Sequence, residues 1–188
     1  MTSCQYEFRH MPAIIKSVRG FTPEFGANCF FADNAVIVGE VRMGDSCTVW
    51  FNAVVRGDVH SITIGNNTNI QDCAVIHCTY QKAKTVIGSN VSIAHHAIVH
   101  GCTVHDNVLI GMGAIVMDGA EIGEHSVIAA GAVVLPGTKV EPGSIYAGMP
   151  AKKVKDIGDE MREVIERTAR NYPMYATWFK NEEGKSNP

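Results

Sequence analysis

An aliphatic residue returns every six positions through much of this chain. From Ile87 the series runs Ile93, Val99, Val104, Ile110, Val116, Ile122, Ile128, Val134 and Val140, and each interval is six residues except the five from Val99 to Val104. Upstream it runs Val38, Met43, Val49, Val55, Ile64, Ile70 and Ile76, with longer intervals at Arg56–Thr63 and His77–Val86. A small residue often follows the aliphatic one, as at Gly39, Gly65, Gly88, Ala94, Gly111 and Gly123. A short fixed period held over roughly a hundred residues marks a repeat architecture. Six residues with one buried aliphatic and one small corner suit a short strand and a tight turn. Three such units make one coil of a triangular prism, and coils stack at the ~4.8 Å spacing of neighbouring strands. A sandwich of short strands would instead place its turns every ~8–12 residues. The expected fold is therefore an all-β repeat, a parallel β-helix filled by a column of Ile and Val.

The end of the chain changes character. Asp159 reads as an N-cap, and Met161, Val164, Ile165, Thr168, Ala169 and Tyr172 recur at helical spacing. Pro173 is expected to kink or end that C-terminal α-helix, with Tyr175, Trp178 and Phe179 beyond it. The expected organisation is an N-terminal strand or cap over residues 1–30, the β-helix over 31–155, the helix over 156–180, and a disordered tail over 181–188. Sixteen basic against nineteen acidic residues give a net charge of −3. That excludes a general phosphate-backbone binder, so no nucleic-acid partner is expected. No apolar run approaches the ~18–20 residues of a membrane span. The start of the chain carries Arg9, His10, Lys16 and Arg19 with no apolar stretch among them, which does not read as a secretory signal. The six cysteines then read as reduced thiols of a cytoplasmic protein.

Several positions that should be small are large: Trp50, Arg56, Gln71, His77, His100, His105 and Met117. Counting units from Val55 assigns Val55, Ile76 and Val99 to one prism face, so Arg56, His77 and His100 form an outward ladder on three successive coils. Two imidazoles one coil apart can bind one metal ion at ~2.0–2.1 Å. His95 and Gln71 fall on another face beside a corner, so His95 points away from that pair within its own chain. A three-histidine site then needs a neighbouring chain, and a cyclic trimer would make three equivalent sites. The ladder also reads as a polar stripe at a subunit contact, and Asp58, two residues from Arg56, as its salt-link partner. His10, His60, His105 and His125 read as surface residues, and His96 as projecting away from His95.

The run Arg56-Gly-Asp58, then Gln71-Asp72, His77 and His95-x4-His100-Gly-Cys, resembles the gamma-class carbonic anhydrase family. So do Leu109-Ile-Gly-Met-Gly-Ala and Ala147-Gly-Met-Pro-Ala151. The match spans roughly residues 10–180, and the ordered constellation is far more specific than the repeat, which acyltransferases share. The resemblance implies a left-handed β-helix, an exception to the usual crossover hand, and a homotrimer with metal at its interfaces. It implies that His77 and His100 ligate from one subunit and His95 from the next. Gln71 would orient the bound water, Arg56 and Asp58 would pair across the interface with Arg56 holding bicarbonate, and Tyr175 matches a tyrosine that some relatives place near the site. The implied metal is Zn2+, with Fe2+ or Co2+ suited to the same ligands. Water on such an ion drops from pKa ~15.7 toward ~7, and the metal-bound hydroxide would hydrate carbon dioxide reversibly to bicarbonate, a lyase reaction. The chain departs from the family prototype at Val59 and in the loop Thr79–Lys84, where glutamates are missing, so no carboxylate proton shuttle is recognised. Two alternatives remain: an acyltransferase or thioesterase acting on a CoA ester, for which no insertion makes a donor-covering arm, and a non-catalytic trimeric scaffold with a structural metal.

Overall fold

The computed structural model describes residues 11–183, with the side chains of residues 182 and 183 left aside. The expectations for residues 1–10, His10 and Cys4 among them, and for the tail beyond residue 183 lie outside it. The chain winds as a parallel β-solenoid of the left-handed hexapeptide-repeat type. The first face stacks Val36–Met43, Val54–Ile64, Val75–His77, Ile98–His100, Ile115–Val116 and Val133–Val134. Two of these strands are long because they bend through the next corner, and their far halves begin the second face. That face continues with Thr85–Ile87, Thr103–Val104, Glu121–Ile122 and Lys139–Val140. The third face runs from Phe30–Phe31 through Thr48–Val49, Asn69–Ile70, Ser92–Ile93, Leu109–Ile110 and Val127–Ile128 to Ser144–Ala147. Lys152–Asp156 closes it as an antiparallel strand.

The sixfold repeat works because each unit buries one side chain on the axis. On the first face Ile37, Val55, Ile76, Val99, Val116 and Val134 stand in register, each at 0% exposure. Burying each contributes about 1.5–3 kcal/mol, and rungs on the other two faces repeat the gain. The corners turn through a residue with positive φ; between the third and first faces these are Asn34, Asn52, Cys73, His96, Gly113 and Gly131. One position of the aliphatic series differs from expectation. The inward residue of its coil is Ile37, and Val38 faces outward beneath Arg56. Six residues before Met43 stands Ile37, so the strict period holds here; the register shift between Gly39 and Val41 comes from the partner strand, which carries three more residues between Gly57 and Ile62.

The C-terminal helix spans Asp159–Glu183, 25 residues and so ~37 Å long, about the height of the prism. It lies on the third face, with Ile165 and Met161 against Val127 near the top and Ala176 against Phe30, Ala32 and Trp50 near the bottom. It does not end at Pro173. Ile165, Ala169 and Ala176 are buried on both sides of the proline, so packing outweighs the one backbone bond that its missing N–H removes. Nor is Asp159 the cap: the Gly158 carbonyl accepts from the Met161 and Arg162 amides, and Asp159 sits in the first turn.

Candidate metal centre

The first face builds the site by stacking. Val38, Arg56, His77, His100, Met117 and Leu135 follow one another up its outer surface, each next to a buried rung of the core. His77 and His100 are paired in register, and their rings lie 5.1 Å apart between centroids. Nδ1 of His77 faces Nε2 of His100 at 3.1 Å. The other nitrogen of each ring meets a carboxylate: His77 Nε2 lies 3.2 Å from Asp58 Oδ1, and His100 Nδ1 lies 2.5 Å from Asp118 Oδ1. Asp58 also accepts from Arg56 Nη1 at 2.6 Å, and Asp118 from the Thr79 hydroxyl. The ladder is thus one hydrogen-bonded line from Arg56 to Thr79.

Electrostatics sort the protons along that line. Desolvation alone would raise the Asp58 and Asp118 carboxyls. The hydrogen bonds from Arg56 and His77, and from Thr79 and His100, outweigh it and hold both below the ordinary aspartate value. Desolvation, then the charge of Arg56 and the neighbouring His100 ring, keep His77 below the ordinary imidazole value against the pull of Asp58. Both carboxylates are therefore ionised acceptors, and each engages one nitrogen of its histidine. The other nitrogen of each ring faces its neighbour across 3.1 Å. Bonds of ~2.0–2.1 Å to one tetrahedral ion would set two ligands ~3.3 Å apart. The pair fits a divalent metal, and a carboxylate behind each histidine is the usual support of a metal ligand.

The remaining candidates lie elsewhere. His95 occupies the corner between the third and first faces, where Nδ1 meets Asp72 Oδ2 at 2.9 Å. Its coil neighbour is Asp72, not Gln71, since Ile70 pairs with Ile93 and Gln71 stacks on Ala94. Gln71 is buried at the same end of the third face, its amide donating to Asn69 Oδ1 at 3.0 Å. Tyr175 sits on the helix, where its hydroxyl accepts from Asn171 and its ring packs on Tyr172 and Trp178. Tyr172 lies near enough to Asp72 for that charge, after burial, to push its hydroxyl up to about 12. His96, at φ +59°, is exposed, as are His105 and its partner Glu121 in part. Nothing among the described residues joins His95, Gln71 or Tyr175 to the His77–His100 pair, and no group of three or more His, Cys, Asp or Glu there could hold a metal within one chain. Arg56, Asp58, His77 and His100 share the first face, while His95 and Gln71 lie near the corner between the third and first faces and Tyr175 lies on the helix.

Sequence reasoning missed Asp118. It lies one coil above Gly101, and a Cβ on Gly101 would collide with its carboxylate. Gly101 also takes φ +57°. The readable signal was a glycine directly after a ligand histidine, with an aspartate one coil later.

Residues 101–136 match the family described as bacterial transferase hexapeptide (six repeats). A protein of Methanocaldococcus jannaschii named "Probable carbonic anhydrase" is 50% identical over 145 residues, 77% of this chain and 91% of that one. Gamma carbonic anhydrase 2 of Arabidopsis thaliana mitochondria is 36% identical over 170 residues, 88% of this chain and 61% of that one. The crystal structure of a hexapeptide transferase family protein from Anaplasma phagocytophilum has a TM-score of 0.84 at 37% identity, covering 88% of this chain and 98% of that one.

Proposed function

The chain belongs to the gamma-class carbonic anhydrase family, and on that premise we propose that it hydrates carbon dioxide reversibly at a metal site shared between subunits of a homotrimer. The observation that carries the reading is the pair of facing imidazole nitrogens 3.1 Å apart, each ring backed by an ionised carboxylate. His77 and His100 of one subunit and His95 of the next would hold Zn2+, or Fe2+ or Co2+ in its place. A divalent ion there draws the pKa of a water toward ~7 and so supplies the nucleophile.

The chain's own residues do the rest. Asp58 and Asp118 each engage one nitrogen of their ring and leave the other turned to the shared space. Asp72 likewise engages one nitrogen of His95 on the partner surface. Arg56 sets a cation at the lower end of the ladder, where bicarbonate brings its negative charge. Gln71 and Tyr175 reach the same space from the His95 side, Gln71 to orient the attacking oxygen. Met117 at 36% exposure and Leu135 at 45%, above His100, with Met112 at 60% above His95, give that contact an apolar rim. No helix of the described residues is long and apolar enough to cross a membrane. The five described cysteines are free thiols, and on that observation we place the protein in the reducing cytoplasm.

Metal analysis beside stopped-flow hydration of carbon dioxide tests the reading. The expected result is about one metal per chain, with activity lost in His77→Ala and His100→Ala. Protein that is metal-free after anaerobic purification and cannot be loaded contradicts it. The word transferase in the name of the Anaplasma structure keeps group transfer as a second reading, which we test for a CoA ester. Calorimetry with acetyl-CoA separates the two, and no binding removes it.

A further inference from the structure

Two cysteines far from the metal centre lie one above the other at the corner between the second and third faces. Phe30 pairs with Thr48 in register, and its amide donates to the Cys47 carbonyl at 2.9 Å, so Cys29 and Cys47 are neighbours on the first two coils. Adjacent strands set such residues ~4.8 Å apart, within the ~4.4–6.8 Å that a disulfide spans between Cα atoms. Both are free thiols, Cys29 half-buried and Cys47 buried. Their sulfurs donate only to turn carbonyls, Cys29 to Gly44 at 3.3 Å and Cys47 to Gly65 at 3.0 Å.

Further up, the same kind of bond is made by hydroxyls: Thr68 to the Gly88 carbonyl at 2.9 Å and Ser126 to that of Glu141 at 2.8 Å. A corner donor therefore does not require sulfur. The two lowest coils carry thiols where oxygen would serve, at the end of the solenoid, where a stack frays first. Cys78 and Cys102 differ: both are buried, and burial raises their thiols. The Cys29 thiol is held below its ordinary value, first by the neighbouring Cys47 side chain, against the effect of burial. Cys47 is pushed up.

We infer that Cys29 and Cys47 form a redox-active dithiol, which a hydroperoxide converts to a disulfide stapling the first coil to the second. The Cys29 thiol gives up its proton to water, and its thiolate attacks the outer peroxide oxygen; the O–O bond breaks, leaving a sulfenic acid on Cys29 and, from hydrogen peroxide, a hydroxide that takes up the released proton as one water. The Cys47 sulfur then attacks the Cys29 sulfur. The S–O bond breaks, the thiol proton of Cys47 leaves with the hydroxide as a second water, and the S–S bond forms. Two thiols are oxidised as one peroxide is reduced, and a dithiol reductant reverses the change. The C-terminal helix shares in the staple, since Lys180 donates to the Cys29 carbonyl at 3.4 Å.

Arg42 lies between the two cysteines, so trypsin separates Gly20–Arg42 from Met43–Arg56 unless a disulfide joins them. The full reduced chain is treated with hydrogen peroxide at neutral pH, raised until half-buried Cys73 is oxidised, then alkylated, digested and weighed. The expected product is those two peptides linked, their summed mass lower by two hydrogens, and released by dithiothreitol. In Cys47→Ser, dimedone should trap Cys29 as its sulfenic acid. Alkylation of both as free thiols, a link from Cys29 to another cysteine, or overoxidation of Cys29 in the unmutated chain would overturn the inference.

Discussion

His100 has one nitrogen committed to Asp118 and the other turned to His77, so its use as a ligand depends on a residue eighteen positions away in the chain and one coil away in space. Asp118→Asn keeps the volume and loses the charge. We expect a 10–100-fold loss of metal affinity with the fold intact, read by competition with a chromogenic chelator; unchanged affinity would leave Asp118 a structural partner of Thr79 alone. Gly101→Ala should act in the same direction by displacing the carboxylate. His77 gives a pH signature. Its folded value lies below the ordinary 6.5, so in metal-free protein the unfolded chain takes up a proton that the folded chain refuses. Stability then falls as pH drops from about 6.5 toward the lower folded value. Denaturation across that window should show this slope, and His77→Gln should flatten it; an equal slope in the variant removes His77 as its source. The ladder itself was legible, because a fixed period lets one count Arg56, His77 and His100 onto one face. Asp118 was not, because its approach depends on a missing Cβ and a left-handed turn at Gly101, neither of which a count of units reveals.

At the scale of elements, each coil is fixed by its aliphatic rung, by a small buried residue such as Ala114 or Ala132, and by its positive-φ corner. Ile110, at 0% exposure in the middle of the stack, should cost about 2–5 kcal/mol when replaced by alanine, read by urea denaturation. A loss within ~0.5 kcal/mol, as at a surface site, would mean that the column is not what holds the coils. The helix depends on its aromatic anchorage more than on its own sequence. Trp50 packs on Phe30, Tyr172 and Phe179. Trp50→Ala should release the half beyond Pro173, with faster amide exchange over residues 174–181 while the solenoid stays protected. Local propensity argues for a kink or an end at Pro173, and Ala176 lands on Trp50 regardless. Val38 differs for another reason: six residues before Met43 stands Ile37, and that residue faces the axis.

For the whole molecule, the proposed site is divided between two surfaces of every chain. The face carrying His77 and His100 and the corner carrying His95 are separate parts of the chain, and the count of faces in the sequence already leads to the expectation of a second chain for a three-histidine site. What the sequence could not supply was how far each half is prepared by itself: Asp58 and Asp118 behind one half, Asp72 behind the other. Subunit complementation tests this most directly. His95→Ala and His100→Ala chains, each metal-free and inactive alone, are unfolded together, refolded and assayed for bound metal and carbon dioxide hydration. A junction is intact only where a His95→Ala chain offers its His77–His100 face to the His95 of a His100→Ala chain. Random mixing should therefore restore roughly a quarter of the unmutated metal content and activity. A mixture as empty and inactive as its parents, despite mixed oligomers, would contradict a centre shared between chains.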